Sequence, residues 1–415
     1  MVTGMDADAI AALGRIRLDW RFKAIPAEAW DTSVEEYVAT RPTLRSLGTP
    51  LLTLDEAALA HNLTAMADWC TAAGVDLAPH GKTTMAPALW QRQLLAGASA
   101  ITVANLPQLR VAYAFGVPRI VFAGTLLDPA GLRWVAAQPN LNPLSWVDSE
   151  RSVALMDAAL RDAGADWALD VCVELGAAGA RTGCRDLEAA LAVARAVRAA
   201  PTLRLAGVAG YEGAVAHDAR PESLAAVDAY LRQVSSLHDA LVAGDLHETA
   251  EAIVTVGGSA FFDRVAETLA PLADARTRVV LRSGAYLIHD DGFYRGITPS
   301  TRAAGPQLRS AMHAWARVVS RPEPSLALLD AGRRDLPFDQ GMPIPQGIAG
   351  AVVTALNDQH AFLTVPAGGG PEVGDVVRLG LSHPCTALDK WTLIPVLDNV
   401  DGPEPVVVSL VRTYF

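Results

Sequence analysis

The chain is short of cysteine, of aromatic residues and of basic runs, and the first and last of these shortages each exclude a class of protein. Its four cysteines, Cys70, Cys172, Cys184 and Cys385, are scattered through 415 residues with no CxxC pair. That is no disulfide framework, and it suits a reducing compartment. The formal net charge is -11, with the acidity dispersed and no block of Lys or Arg. Nucleic acid and anionic membranes are therefore not expected as partners. The opening residues MVTGMDADAI lack a basic n-region followed by an apolar core, and no apolar run reaches membrane-spanning length. A cytoplasmic protein is the expectation. What is present is ordinary for a folded chain: 51% hydrophobic residues and 19% charged. The length suits a barrel and a second module.

Three stretches differ in texture. Residues 1–48 read as a peripheral segment that packs on the second module. Over residues 49–300 short β-branched runs alternate with Ala/Leu/Arg-rich helical patterns, the mark of a parallel sheet built from βα units. After Pro50–Leu54, eight candidate strands follow: Val75–Ala78, Ala100–Ala104, Arg119–Ala123, Leu144–Asp148, Ala168–Glu174, Leu205–Tyr211, Ala252–Val256 and Arg278–Arg282. Eight such units predict a TIM (β/α)8 barrel in an α/β fold. Over residues 301–415 the helical period stops, and runs broken by Pro and Gly turns predict an all-β domain.

Barrel enzymes carry their chemistry in the loops after the strands. Here those loops hold Pro79-His80-Gly81-Lys82-Thr83-Thr84, then Arg181-Thr182-Gly183, then Tyr211, then Gly257-Gly258-Ser259 and finally Ser283-Gly284-Ala285-Tyr286. Gly/Ser loops after the seventh and eighth strands are where barrels commonly bind a phosphate through backbone N–H groups. The plainer reading of Gly-Gly-Ser is a strand-ending turn. Lys82 ends an apolar strand, as a reactive amine needing partial desolvation would; the plainer reading is a solvated charge. A phosphate site and one lysine at a single mouth point together to pyridoxal 5'-phosphate. Arg181 and Tyr211 then become candidate neighbours of the cofactor ring, Arg181 facing the pyridine nitrogen. A surface ion pair and a core aromatic are their alternatives. In the β module, His383 and Cys385 stand two apart, and both are zinc ligands by type. Two protein donors would suit an open, catalytic zinc rather than a closed structural one.

Taken together, Pro79-His80-Gly81-Lys82-Thr83, Arg181-Thr182-Gly183, the two Gly/Ser loops and His383-Pro384-Cys385 resemble the D-serine dehydratase/D-threonine aldolase family, in particular its bacterial amino acid deaminase branch. The resemblance runs from about Thr49 to the C-terminus. It implies a fold-type III pyridoxal-phosphate enzyme with an alanine racemase-like barrel, Lys82 as the cofactor lysine, zinc on His383 and Cys385, and a homodimer. The cofactor-binding set implied is Lys82, His80, Arg181, Thr182, Tyr211, Gly257, Gly258, Ser259, Ser283, Gly284, Ala285 and Tyr286. The activity implied is dehydration of small β-hydroxy D-amino acids such as D-serine to an α-keto acid and ammonia. Cysteine as second metal ligand favours that reading, because the aldolases tend to carry Asp there. The alternatives are retro-aldol cleavage to glycine and an aldehyde, or racemisation. Racemisation needs a tyrosine from the β module, which after Tyr294 holds Tyr414 alone. One departure is Thr84, where many members have histidine. Arg333 and Arg334 are open between a substrate carboxylate and surface pairs with Asp335, and Asp330 and Asp389 are the candidates to support the metal from behind.

Overall fold

The computed structural model describes residues 4–302, 304–366 and 369–415. Strand β1 (Leu51–Asp55) is followed by eight strands that alternate with helices or helical turns. They are β2 (Asp76–Leu77), β3 (Ile101–Val103), β4 (Ile120–Phe122), β5 (Ser145–Val147), β6 (Leu169–Leu175), β7 (Leu203–Gly210), β8 (Ala252–Thr255) and β9 (Thr277–Leu281). Each falls on one of the eight expected segments. All pairings among them are parallel, with β2 beside β9. Two gaps in the ladder are bridged by backbone bonds: Thr102 N–H to Pro79 O at 2.9 Å, and Phe122 N–H to Leu144 O at 2.7 Å. The ring thus closes as an eight-stranded parallel barrel.

Local sequence explains the alternation. Asp186 caps the helix Leu187–Arg198 through Ala189 N–H, and that helix buries Ala190, Val193, Ala194 and Val197, one face at helical spacing. Asp55 caps Glu56–Ala73, which stops at Gly74 in the left-handed conformation (φ 68°). The barrel's inner lining is small, including Ala78, Ala100, Ala206 and Cys172. This leaves a cavity of about 710 Å³ at the N-terminal end, walled also by Asp170, Arg204 and Arg278. It lies at the opposite end from the loops singled out above.

The β module comprises β10 (Met312–Glu323), β11 (Leu326–Leu329), β12 (Ile344–Pro345), β13 (Val352–Leu356), β14 (Ala361–Thr364), β15 (Val376–Gly380), β16 (Leu393–Leu397) and β17 (Val407–Arg412). Strand β1 joins this sheet, antiparallel to β10 and parallel to β16. It stands at the head of the stretch read as barrel, so the β module takes its central strand from before the barrel begins. Every residue of β1 is buried, as a strand flanked on both edges and covered on both faces must be. Residues Leu18, Val34 and Tyr37 of the N-terminal segment pack with Leu393, Leu397 and Val407 of the β module. Among the described residues no helix is long and apolar enough to cross a membrane.

Candidate active site

Lys82 sits in the single turn Gly81–Thr83 that follows β2. The turn is pinned from below: a Cβ on Gly81 would lie 2.9 Å from both Trp90 and Ile101, and Trp90 Nε1–H donates to Gly81 O at 3.2 Å. Burial is the main cause that lowers the Lys82 pKa; Cys385 opposes it, and Arg181 and Arg282 reinforce it. The amine is therefore held closer to its neutral, nucleophilic form. His80 is driven well below its ordinary value by burial and by Lys82, Arg282 and Arg181, so it is neutral, with a buried Nδ1 that has no partner.

Lys82, His80, Arg181, Thr182 and Tyr211 line one cavity of about 210 Å³. Gly257, Gly258, Ser259, Gly284 and Ala285 line the same cavity, and from the β module so do His383 and Cys385. A vestibule of about 410 Å³ adjoins it through Arg181, Tyr211, Ser259, Tyr294 and His383. Two expected residues are not on the wall. Ser283 is fully buried and donates to Gly258 O at 2.8 Å, tying the two Gly/Ser loops together. Tyr286 points into the core, where its hydroxyl accepts from Gln93 Nε2 at 3.1 Å. Its side chain is packing, set by the apolar surroundings of the turn.

The Gly/Ser loops are built for close approach, in a way the motif alone did not show. Gly257 and Gly258 give their N–H groups to the fully buried Glu212 carboxylate, at 3.1 and 2.7 Å. Those two donors are already used. Ser259 Oγ accepts from Ala285 N–H at 3.1 Å, which ties the two loops together again where Ser259, Gly284 and Ala285 line the cavity beside Gly257 and Gly258. A Cβ on Gly284 would meet His80 O at 2.5 Å, and one on Gly258 would meet the Tyr211 ring at 2.8 Å. Glycine is required there by neighbouring backbone and ring.

The cation deepest in the mouth is Arg282, not Arg181. Arg282 directly follows β9 at 6% exposure and donates to Thr255 Oγ1 at 2.7 Å and Gly210 O at 2.5 Å. Arg181 is exposed, its guanidinium 5.2 Å from the centre of the Tyr211 ring. Thr182 donates to Glu174 Oε1 at 3.1 Å. Arg282, Glu174 and Glu212 were not among the expected site residues, although charged residues ending apolar barrel strands are a signal available in the sequence.

His383 and Cys385 open the short helix Pro384–Leu388. His383 has φ 54°, a strained value for a non-glycine residue, and Asp290 Oδ2 holds it there by accepting its N–H at 2.8 Å. Its Nδ1 is 2.5 Å from Asp339 Oδ2, and the ring also interacts with the Cys385 thiol. Cys385 Sγ lies 3.5 Å from Thr83 Oγ1, on the Lys82 turn. Burial opposes a charge on either group, but their mutual interaction outweighs it, with Asp339 helping to lift His383 to about 9 and Thr83 to lower Cys385. The supporting carboxylate is thus Asp339. Asp330 is bonded to Thr49 and the Arg317 N–H, while Asp389 lies beside Lys390. Arg333 stacks on Phe338 and Arg334 faces the exposed Asp358; neither lines the cavity, and Asp335 pairs with Lys23 instead.

The residues fit both groups the sequence suggested. A desolvated amine, a Gly/Ser cradle and the unpartnered His80 Nδ1 and Glu174 Oε2 suit a polar aromatic phosphate. Among the described residues no cluster of three or more His, Cys, Asp or Glu has metal-holding geometry. Two donors backed by Asp339 therefore fit an open metal position completed by water or substrate, and not a closed structural site.

Comparison with known proteins bears on the family and the fold. Residues 54–268 match the family described as the alanine racemase N-terminal domain, and residues 311–397 match a putative serine dehydratase domain. A D-threonine aldolase from Arthrobacter sp. is 29% identical over 347 residues, 82% of this chain and 86% of the relative. The crystal structure of a D-threonine aldolase from Filomicrobium marinum has a TM-score of 0.78 at 26% identity, covering 90% of this chain and 97% of that one. A D-threo-3-hydroxyaspartate dehydratase from Delftia sp. HT23 shares the fold, with a TM-score of 0.74 at 23% identity over 90% of this chain and 99% of that one.

Proposed function

The chain belongs to the alanine racemase N-terminal domain family, and from that premise we propose that it is a pyridoxal-phosphate-dependent lyase of β-hydroxy D-amino acids, dehydrating a small substrate such as D-serine to an α-keto acid and ammonia. The observation that carries this reading is one cavity uniting a buried lysine, a Gly/Ser cradle and a His/Cys donor pair. Relatives named for aldolase and dehydratase activities support the same substrate class.

Lys82 would carry the cofactor's aldehyde carbon, Ser259, Gly284 and Ala285 its phosphate, and Arg282 would face the ring nitrogen, which a permanent cation keeps unprotonated. When bound, the cofactor supplies an electron sink for the carbon bearing the substrate's amine. Lys82 Nζ, its charge disfavoured by burial, takes the proton from that carbon. His383 and Cys385 would hold zinc, which supplies Lewis acidity toward the β-hydroxyl. Asp339 fixes the His383 ring through Nδ1, where His383 lines the mouth. The β module contributes this pair beside the Lys82 turn, with Cys385 Sγ 3.5 Å from Thr83 Oγ1.

A second reading, retro-aldol cleavage to glycine and an aldehyde, shares nearly all of these residues and is favoured by the aldolase names among the relatives. Racemisation has less support: Tyr414 packs edge-on against Phe115 and does not line the cavity. The test is to load the protein with pyridoxal phosphate, trap it with borohydride and map the modified peptide. D-serine, D-threonine and D-threo-3-hydroxyaspartate are then supplied with and without a chelator. Label on Lys82 with keto acid and ammonia released is the expected result. Aldehyde and glycine would transfer the assignment to the aldolase reading; no label on Lys82 would refute both.

A further inference from the structure

Glu174 is the penultimate residue of β6 and lines the cavity at 9% exposure. Its Oε1 accepts from Thr182 at 3.1 Å, but its Oε2 is buried and has no partner. Buried polar atoms are nearly always satisfied, so an exception at a cavity wall asks what completes it. An ionised carboxylate left in this state is strongly disfavoured.

The charged groups around it are few. Arg282 approaches from β9, Arg181 from the loop after β6, and Asp148 from the loop after β5, where it accepts from Gly183 N–H at 3.1 Å. Arg282 is shared with Glu212, whose two oxygens each accept a backbone N–H, from Gly257 and Gly258. One buried cation therefore faces two buried carboxyl groups, and the group with an empty oxygen is the better place for a proton. Burial, and after it Asp148, favours the protonated form of Glu174; Thr182, Arg282 and Arg181 oppose it without prevailing.

Resting on the reading that this mouth takes pyridoxal phosphate, we propose that Glu174 is a proton-bearing carboxyl group that donates from Oε2 to the phenolic oxygen of the bound pyridoxal ring. The order of substituents on the ring points to that atom. The phosphate arm and the phenolic oxygen are carried on the two ring carbons that flank the one bearing the aldehyde. With the aldehyde at Lys82 and the phosphate at the loops after β8 and β9, the phenolic oxygen is directed to the far wall, where β5 and β6 end. Glu174 Oε2 is the unpartnered polar atom of that wall. Glu174 is on this account a cofactor-positioning residue; Thr182 orients it, while Arg181 is turned onto Tyr211.

The test compares binding of pyridoxal 5'-phosphate and its 3-deoxy analogue, which lacks the phenolic oxygen, to the cofactor-free protein. Wild type should bind the analogue about 10-fold more weakly, the scale of one hydrogen bond. Glu174→Ala should lose this discrimination, and Glu174→Gln, whose amide N–H can donate from the same place, should keep most of it. Undiminished discrimination in Glu174→Ala overturns the proposal. Equal loss in both variants overturns it as well, because the site would then be using a carboxylate's charge and not a donated proton. Infrared difference spectra of the unloaded protein give an independent measure. A protonated-carboxyl stretch present in wild type and absent from Glu174→Gln is expected, and its absence from wild type refutes the proposal. Failure of wild type to bind pyridoxal phosphate at all is a separate result, and it strikes the functional reading itself.

Discussion

Replacing Gly284 by alanine probes whether the Lys82 turn and the second Gly/Ser loop are held at their closest approach. The added Cβ would lie 2.5 Å from His80 O, 2.9 Å from His80 Cβ and 3.0 Å from His80 N. Ordinary contact begins near 3.4 Å, so the nearest approach is short by 0.9 Å. The neighbour cannot yield easily, because His80 N–H is bonded to Arg282 O and its strand position is bridged to Thr102. The two loops must separate by most of that shortfall. Overpacking of this kind costs about 1–3 kcal/mol of stability. A displacement near 1 Å between the lysine and the phosphate cradle costs on the order of 100-fold in function. The expected result is a lower unfolding midpoint in urea and a pyridoxal-phosphate Kd raised at least about 10-fold in a fluorescence titration. Gly296→Ala is the control: it has open space around its Cβ position and lies in the helix Phe293–Ile297. It should be neutral or stabilise by up to about 1 kcal/mol. Wild-type stability and cofactor affinity in Gly284→Ala would refute the close-approach argument.

Two further predictions concern the metal pair and acid stability. Asp339→Asn should weaken zinc binding by about 10- to 100-fold while leaving pyridoxal-phosphate affinity unchanged; competition against a chromophoric chelator measures it, and an unaltered zinc affinity would remove Asp339 from the site. His289 is 5% exposed and burial, with Arg295, lowers it to about 4. Its unfolded value is near 6.5, so below that pH the unfolded chain binds a proton the native one refuses. Its contribution is thus intact above pH ~6.5 and shrinks as pH falls toward 4, by about 3 kcal/mol in all. Urea unfolding across this window should show the loss, and His289→Gln should flatten it; an equal slope in the variant would contradict the assignment.

Much of the architecture could be read in the sequence because the forces that set it are local. The eight barrel strands and most strands of the β module announce themselves as apolar runs between caps and turns, the two-residue Ile344–Pro345 being the exception, and capping aspartates such as Asp186 mark helix starts. Once a βα barrel is inferred, its topology alone sends Lys82, Tyr211, Ser259 and Ala285 to one rim. The sheet that β1 joins was not legible, since an apolar five-residue strand carries no label for its partners. The separate duties of Arg181 and Arg282 were hidden for a similar reason: both follow barrel strands, and only burial tells the deep cation from the one stacked at the surface.

By itself, then, the sequence determined the two modules, the order of the barrel and the residue types available at its mouth, because periodicity, capping and turn chemistry act over a few neighbouring residues. Only the tertiary structure decided how those groups are used. Asp339 behind His383, Glu212 on the Gly257 and Gly258 N–H groups, and the open oxygen of Glu174 depend on contacts between residues far apart in the chain. No local pattern encodes those contacts, and burial sets the cost of each unpaired charge.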